Sequence, residues 1–285
     1  MTDTNTLSKI QEKARRLLED GKVEVVIGFA AGTVPGKSTP SFISAKEDCE
    51  SLVWDNGCSL NLAKYVLKEK RKAAIIVKGC DSRSLVNLIT ENQIKRENLY
   101  IIGAACPLSA SCAGCQVKVP VIYDELIEDG SEIREVSTIA ERRYDDVLEF
   151  EKLSAEERKA YVYGEVSKCI RCYACRNVCP ACYCKECFAE KSLPQWIGKT
   201  TDIGDNLIFH LIRALHVAGR CVDCGSCQRA CPMGVNLRLL NHKLLMEVGS
   251  LYQFEAGLKE DQILPLNTYQ YDDPQPFLAK GGGHE

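Results

Sequence analysis

The sequence predicts two folds in one chain: an α/β N-terminal domain with a parallel sheet, then a mainly α-helical domain organised around cysteine. Three observations carry this. Short β-branched runs alternate with helical stretches from about residue 22 to 125, cysteines crowd the region 161–245, and a strongly charged segment lies between them. At 285 residues the chain is long enough for two cores.

The elements follow in order. MTDTNTLSKIQEKARRLLEDGK predicts an amphipathic helix with Leu7, Ile10, Ala14, Leu17 and Leu18 on one side, and it lacks the apolar core of an export signal. VEVVIGFA, KAAIIVK, NLYIIGA and VPVIYDELI read as strands. CSLNLAKYVLKEK and SRSLVNLITENQIKR read as the helices between them, the interleaving that builds a parallel three-layer sheet. The expected boundaries are 1–125 for the α/β domain, 126–160 for a charged linker with helical parts, 161–245 for the helical domain and 246–285 for an extended tail. Within the helical domain, KTTDIGDNLIFHLIRALHVAGRC predicts an amphipathic helix opened near Asp202 or Asp205 and stopped by Gly219. Ile208, Leu211, Ile212, Leu215 and Val217 mark its apolar residues, and His210 and His216 are expected to be ordinary core or surface histidines.

Composition narrows the function. A hydrophobic fraction of 45%, a charged fraction of 26% and a net charge of -3 are those of a soluble globular protein without a basic footprint for nucleic acid. The longest apolar runs, such as AAIIV at 73–77, are too short for a bilayer, so a cytoplasmic location without membrane contact is expected. Seventeen cysteines in a reducing compartment point to metal binding or redox chemistry rather than disulfides, and oxygen-sensitive thiolates suit anaerobic metabolism.

The strongest signal is an internal repeat. Cys169, Cys172, Cys175 and Cys179 precede Pro180, and Cys221, Cys224, Cys227 and Cys231 precede Pro232, so C-x-x-C-x-x-C-x-x-x-C-P occurs twice. A 4Fe-4S cubane needs four soft thiolates, and two-residue spacers let one short loop supply three of them. In two-cluster ferredoxins the fourth cysteine of each run serves the other cluster. That rule assigns Cys169, Cys172, Cys175 and Cys231 to one cluster and Cys221, Cys224, Cys227 and Cys179 to the other. Two separated C-x-x-C pairs would be the zinc pattern, and these triple runs differ from it. The helix between the runs marks an α-helical two-cluster ferredoxin domain rather than the compact bacterial type.

Other cysteines lie outside the repeat. Cys58, Cys106, Cys112 and Cys115 fall near the carboxyl edge of the expected sheet, where a third cluster and a scatter of buried thiols are both open readings. In VKGCDSRSL, the turn and helix start place Cys80, Asp81 and Arg83 where a cofactor anion could bind, although a strand, a turn and a capped helix account for the same residues. Cys182, Cys184 and Cys187, in ACYCKEC, are expected to bind an additional cluster completed by Cys80 or Cys49. The alternatives are a zinc site and spare thiols.

VKGCDSRSL, GAACPLSASCAGC running into VPVIYDELI, and CIRCYACRNVCP together resemble the beta-subunit family of deazaflavin-coenzyme-reducing hydrogenases and formate dehydrogenases. FHLIRALHVAGRCVDCGSCQRACPMGVNLRLLN is similar to the helical ferredoxin modules of heterodisulfide reductase complexes. The resemblance implies an iron-sulfur electron-transfer subunit of a cytoplasmic multi-subunit redox complex, with a flavin- or metal-containing catalytic subunit as partner and ferredoxin as a further one. The family's alternative is a subunit that binds FAD and exchanges hydride with a deazaflavin or nicotinamide carrier. GFAAGTVPGKSTPSF departs from the family's glycine-rich flavin segment, and no G-x-G-x-x-G fingerprint is present, so the electron-transfer reading leads.

Overall fold

The computed structural model describes residues 4–107, 115, 117–127 and 144–265. Helix α1 (Thr4–Glu19) buries Ile10, Ala14 and Leu17 against the sheet, as its period predicts. Each large aliphatic side chain removed from water there stabilises the domain by roughly 1.5–3 kcal/mol. Five strands follow: β1 (Val25–Ala31), β2 (Ser38–Ile43), β3 (Ala73–Val77), β4 (Leu99–Ala104) and β5 (Glu125–Ile127), in the order β2-β1-β3-β4-β5. The sheet is mixed rather than wholly parallel. β1, β3, β4 and β5 run parallel, while β2 lies antiparallel on the edge beside β1. The physical reason is the short connection from Ala31 to Ser38, which suits a hairpin return and is too short for a crossover helix. STPSFI, with Pro40 inside it, fits an edge strand that need not donate along its full length.

CSLNLAKYVLKEK is helical only at α2 (Ala63–Val66), whereas α3 (Gly79–Thr90) forms as expected and packs along the sheet. A side chain at Gly79 would place its Cβ 2.1 Å from the Val117 carbonyl oxygen, so glycine is required where the loop before β5 crosses the helix start.

The described part of the charged segment is helical. α4 (Asp145–Glu151) packs against α9 (Leu237–Tyr252), and α5 (Ala155–Ser167) against α7 (Ile203–His216), so these two helices join the cysteine-rich domain rather than bridging to it. Ser154 and Glu157 close a capping box at the start of α5, with Glu157 N donating to Ser154 Oγ at 3.2 Å and Ser154 N to Glu157 Oε2 at 2.8 Å. Two four-residue helices, α6 (Ala174–Asn177) and α8 (Ser226–Arg229), follow the cysteine loops.

The expected tail also differs at its start. Leu245 and Val248 keep the helical period of α9 beyond residue 245, and Gln253, at φ 51°, ends it. Phe254, Ala256 and Leu264 are then buried with Val222 and Val248. At Gly257, φ +75°, a Cβ would sit 2.2 Å from the Arg83 carbonyl oxygen, so this segment closes directly onto α3. Hydrogen bonds join the two domains as well: Tyr183 Oη donates to Glu91 Oε2 at 2.7 Å, Arg220 pairs with Glu91 at 2.6 Å, and Asn87 donates to the Arg220 carbonyl at 2.7 Å. Among the described residues no helix is long and apolar enough to cross a membrane.

Candidate metal centres

Both cysteine runs fold the same way. Arg171 and Tyr173 flank Cys172 at φ 56° and 59°, and Asp223 and Gly225 flank Cys224 at φ 54° and 68°. Left-handed backbone at the non-glycine positions costs on the order of 1–3 kcal/mol each and persists only where the surroundings enforce it. The same backbone amides then reach the same sulfurs. Arg171 N donates to Cys169 Sγ at 3.4 Å, and Asp223 N occupies the equivalent place at Cys221. Arg176 N and Gln228 N serve Cys175 and Cys227 in the same way.

The two runs interlock. Cys172 and Cys231 are the thiols whose charge acts on Cys169. Cys179, by contrast, is the neighbouring charge that raises Cys221, Cys224 and Cys227. Cys231, the fourth cysteine of the later run, also packs against the buried cluster that Cys175 and Cys169 of the earlier run join. Burial pushes the Cys175 thiol up to about 11 and Cys224 to about 11, and it lifts Cys221 well above the ordinary thiol value; Cys179 is raised likewise, first because its S–H donates to Cys182 and then by burial. A metal centre binds the thiolate form, so loading these buried neutral thiols releases their protons to solvent and is coupled to pH. Among the described residues no three His, Cys, Asp or Glu side chains converge as the ligands of a single ion would. Around one ion each thiolate stands at about 2.3 Å from the metal.

Helix α7 departs from expectation at three of its marked apolar residues, whereas Val217 is buried and Ile212 half-buried. Ile208, Leu211 and Leu215 are exposed, and the inward residues are Asn206, Phe209, His210, Arg213 and Ala214. The reason is that the cysteine loops offer buried carbonyls that need donors. Asn206 Nδ2 reaches the carbonyls of Val166 at 3.2 Å and Cys169 at 2.9 Å, and Arg213 Nη2 reaches that of Cys175 at 3.1 Å. The sulfurs of Cys179, Cys227, Cys182 and Cys175 around Arg213 hold its guanidinium far above the ordinary range against the cost of burial. His210 is buried and, through desolvation and the nearby Arg213 and Arg171 charges, drops to about 4, so it is neutral. His216 is exposed. Asn206 and Arg213 were not singled out by the sequence reading. Two polar residues inside an apolar helix, seven positions apart and so on one face, are the signal that marks them.

A second anchor holds the loop of the later run. Asp223 takes Arg238 Nη2 at 2.9 Å and His242 Nε2 at 3.0 Å, and His242 Nδ1 meets Asp146 at 2.8 Å. Burial opposes ionisation of Asp223, yet His242 and Arg238 hold it down at about 2. Burial lowers His242 while Asp223 and Asp146 raise it, for a net rise. A histidine raised in the folded state stabilises it fully below its unfolded pKa of about 6.5, and that contribution is lost as pH climbs through the raised value. His242→Gln is therefore expected to lower the thermal midpoint most at pH 6 and least at pH 9. A deficit that grows with pH would contradict this.

At the sheet edge, Lys78 stands among the cysteines and its charge acts on Cys58, Cys80 and Cys106. Cys58 is fully buried, pushed up to about 11 chiefly by desolvation. Cys80 has Cys224 and Cys106 as thiol neighbours, so it faces the later cysteine run. Cys115 Sγ lies 3.8 Å from the Val117 carbonyl, and Cys112 lies outside the described residues. Asp81 and Arg83, expected beside a cofactor anion, have protein partners. Asp81 accepts from the amides of Lys78 and Leu62 at 3.0 Å each and pairs with Lys78 Nζ at 2.8 Å. Arg83 donates to the Ala256 carbonyl at 2.6 Å and pairs with Glu255 at 2.9 Å.

Cys182, Cys184 and Cys187 line one cavity of about 1130 Å³ between the domains, together with Lys64, Arg176 and Phe188. Cys182 is lowered, first by its hydrogen bond with Cys179, and Arg176 hydrogen-bonds Cys187. Neither Cys80 nor Cys49 lies on that cavity. Cys49 is buried in the α/β core near Arg15, at the end of the sheet that α1 covers.

Residues 165–235 match the family described as the 4Fe-4S dicluster domain. This segment is a 4Fe-4S dicluster domain. The sulfur-only donor sets fit the clusters, as does a buried Arg213 that has no carboxylate partner among the described residues. Beyond the dicluster domain, the chain is similar to the F420-dependent formate dehydrogenase subunit beta of Methanocaldococcus jannaschii, at 23% identity over 351 aligned positions that cover 87% of this chain and 90% of the relative. It is also similar to the F420-dependent formate dehydrogenase 1 subunit beta of Methanococcus maripaludis, at 22% identity over 304 positions covering 71% and 78%. The resemblance to the beta-subunit family extends over the α/β domain as well as the dicluster domain.

Proposed function

We propose that this chain is an electron-transfer subunit of a larger cytoplasmic redox complex, relaying single electrons between a catalytic partner subunit and a further carrier. The observation that carries the reading is two matched loops in which Cys231 packs with Cys169 and Cys175 while Cys179 neighbours Cys221, Cys224 and Cys227, which supports Cys169, Cys172, Cys175 and Cys231 as one ligand set and Cys221, Cys224, Cys227 and Cys179 as the other. Bound 4Fe-4S clusters supply one-electron chemistry at potentials set by hydrogen bonds, charge and burial. The chain contributes matched N–H···S bonds in both loops and the exposed Cys172 at the surface of one site.

A second reading rests on the interdomain cavity. Its volume of about 1130 Å³, its cations Lys64 and Arg176 and its aromatic Phe188 favour an anionic, aromatic cofactor such as FAD, which would give the chain hydride chemistry of its own. The three cysteines on the same cavity favour an additional cluster instead.

Metal, sulfide and flavin analysis of the full chain after anaerobic purification separates these. Two clusters give about eight irons per chain, and additional clusters at Cys182/Cys184/Cys187 and at the sheet edge would raise this to about sixteen. Fewer than eight would reject the dicluster assignment. Flavin released by acid supports the second reading. Cys184→Ala is expected to lower the iron content if the cavity holds a cluster, and unchanged iron and zinc would leave these three as plain thiols.

A further inference from the structure

A buried cation without a carboxylate is costly, and Arg213 is such a cation. It is 4% exposed, and among the described residues no Asp or Glu pairs with it. The groups that surround it are sulfurs, from four cysteines, which become its counter-charge as thiolates on a bound cluster. Cys175 belongs to the first ligand set and Cys179 and Cys227 to the second, while Cys182 follows on the same stretch of chain. Arg213 Nη2 donates to the Cys175 carbonyl at 3.1 Å, and Cys175 and Cys227, one from each set, pack in the same buried cluster with Phe209 of α7. Asn241 Nδ2 completes the surroundings of Cys227 at 3.6 Å and carries no charge. His210, one turn earlier on α7, is buried and neutral, so it does not share the role.

The other cations near the cysteines touch one set each, or neither. Arg171 stands at Cys169 and is held by the carbonyls of Asp205 at 2.8 Å and Gly198 at 3.2 Å. Lys64 reaches the Cys182 carbonyl, and Arg176 faces Cys187 and Glu190.

We infer that Arg213 is a shared counter-cation of the two clusters, setting the reduction potential of both from one position between them. This rests on the dicluster assignment. Each cluster is an anion inside a thiolate shell, and electron uptake adds one further negative charge while transferring no atom. A fixed positive charge in a low-dielectric gap favours that added charge on either side, so it makes both sites easier to reduce. It also brings the two potentials under one control, which suits a relay that must pass electrons without a deep trap at either centre.

The test is an anaerobic redox titration of the full chain followed by electron paramagnetic resonance, on wild type, Arg213→Lys and Arg213→Gln, each with its iron counted first. A wild-type chain with fewer than about eight irons removes the dicluster assignment and this inference together. With wild type loaded, Arg213→Gln is expected to shift both midpoint potentials to more negative values, and Arg213→Lys to stay near wild type. Unchanged potentials in a fully loaded Arg213→Gln, or a shift in one cluster alone, overturn the inference while leaving the dicluster assignment standing. If Arg213→Gln does not retain iron, Arg213→Lys decides. Both clusters retained at near wild-type potentials show that charge is what the site requires, and equal loss of iron shows that it is not.

Discussion

Replacing Cys224 by alanine is expected to remove about four irons per chain and leave the other cluster intact. Pairs of substitutions then read out the interlock. Cys172→Ala with Cys231→Ala should cost no more iron than either change alone, because both act on one ligand set. Cys224→Ala with Cys231→Ala should cost about eight, because they act on two. If each run instead closed on its own fourth cysteine, the result would invert, with Cys224 and Cys231 behaving as one unit. Iron and sulfide analysis with the visible spectrum is sufficient. Cys179 is the poorer choice for this experiment, because the Cys182 sulfur accepts its hydrogen bond and stands ready to take its place.

Asp81→Asn is expected to destabilise the α/β domain by about 3–5 kcal/mol, the usual consequence of stripping one partner from a buried ion pair. Lys78 is 0% exposed, its ammonium bound by Asp81 at 2.8 Å and by the Leu60 carbonyl at 3.0 Å, and placed 4.6 Å from the centre of the Phe29 ring. Asparagine keeps the shape of Asp81 and removes the charge, so the lysine is left buried without its counter-ion. At roughly 2–4 °C per kcal/mol for a domain of this size, the thermal midpoint should fall on the order of 10 °C. Lys78→Met together with Asp81→Leu should recover most of the loss, since an apolar pair of similar volume owes no desolvation cost. A midpoint unchanged in Asp81→Asn would mean that the pair is not buried in solution. Asp81 also accepts from the Lys78 and Leu62 amides, and leucine loses these bonds as well as the charge, so whatever the double variant fails to recover measures the capping bonds.

Much of the cysteine-rich domain was legible in the sequence because its chemistry is local. Spacers of two residues in CIRCYAC and CVDCGSC fix three thiols within one short loop, and the repeat of that spacing identifies the loops whatever surrounds them. The period of Ile10, Ala14 and Leu17 and the β-branched runs AAIIV and LYIIGA are local in the same sense, and they gave the first helix and the central strands. The edge strand STPSFI escaped because proline and alternating small polar residues weaken its signal, and only its hydrogen bonds to β1 make it a strand.

What the tertiary structure decided is everything that depends on a partner distant in the chain. The apolar residues of α7 suggest that Ile208, Leu211 and Leu215 face inward, but the cysteine loops present carbonyls and thiols to that helix, and only Asn206 and Arg213 can satisfy them. Unsatisfied polar groups cost more to bury than leucines cost to expose, so Asn206 and Arg213 turn inward beside Phe209 and Ala214 while the three aliphatic side chains face out. The same holds for Arg83. The turn that carries it reads from sequence as an anion site, yet the segment after α9 folds back and supplies Glu255 and the Ala256 carbonyl. Local spacing selects which residues are suited to hold iron. Long-range packing selects which of their neighbours stand beside it, because only the folded chain determines where each buried charge finds its partner.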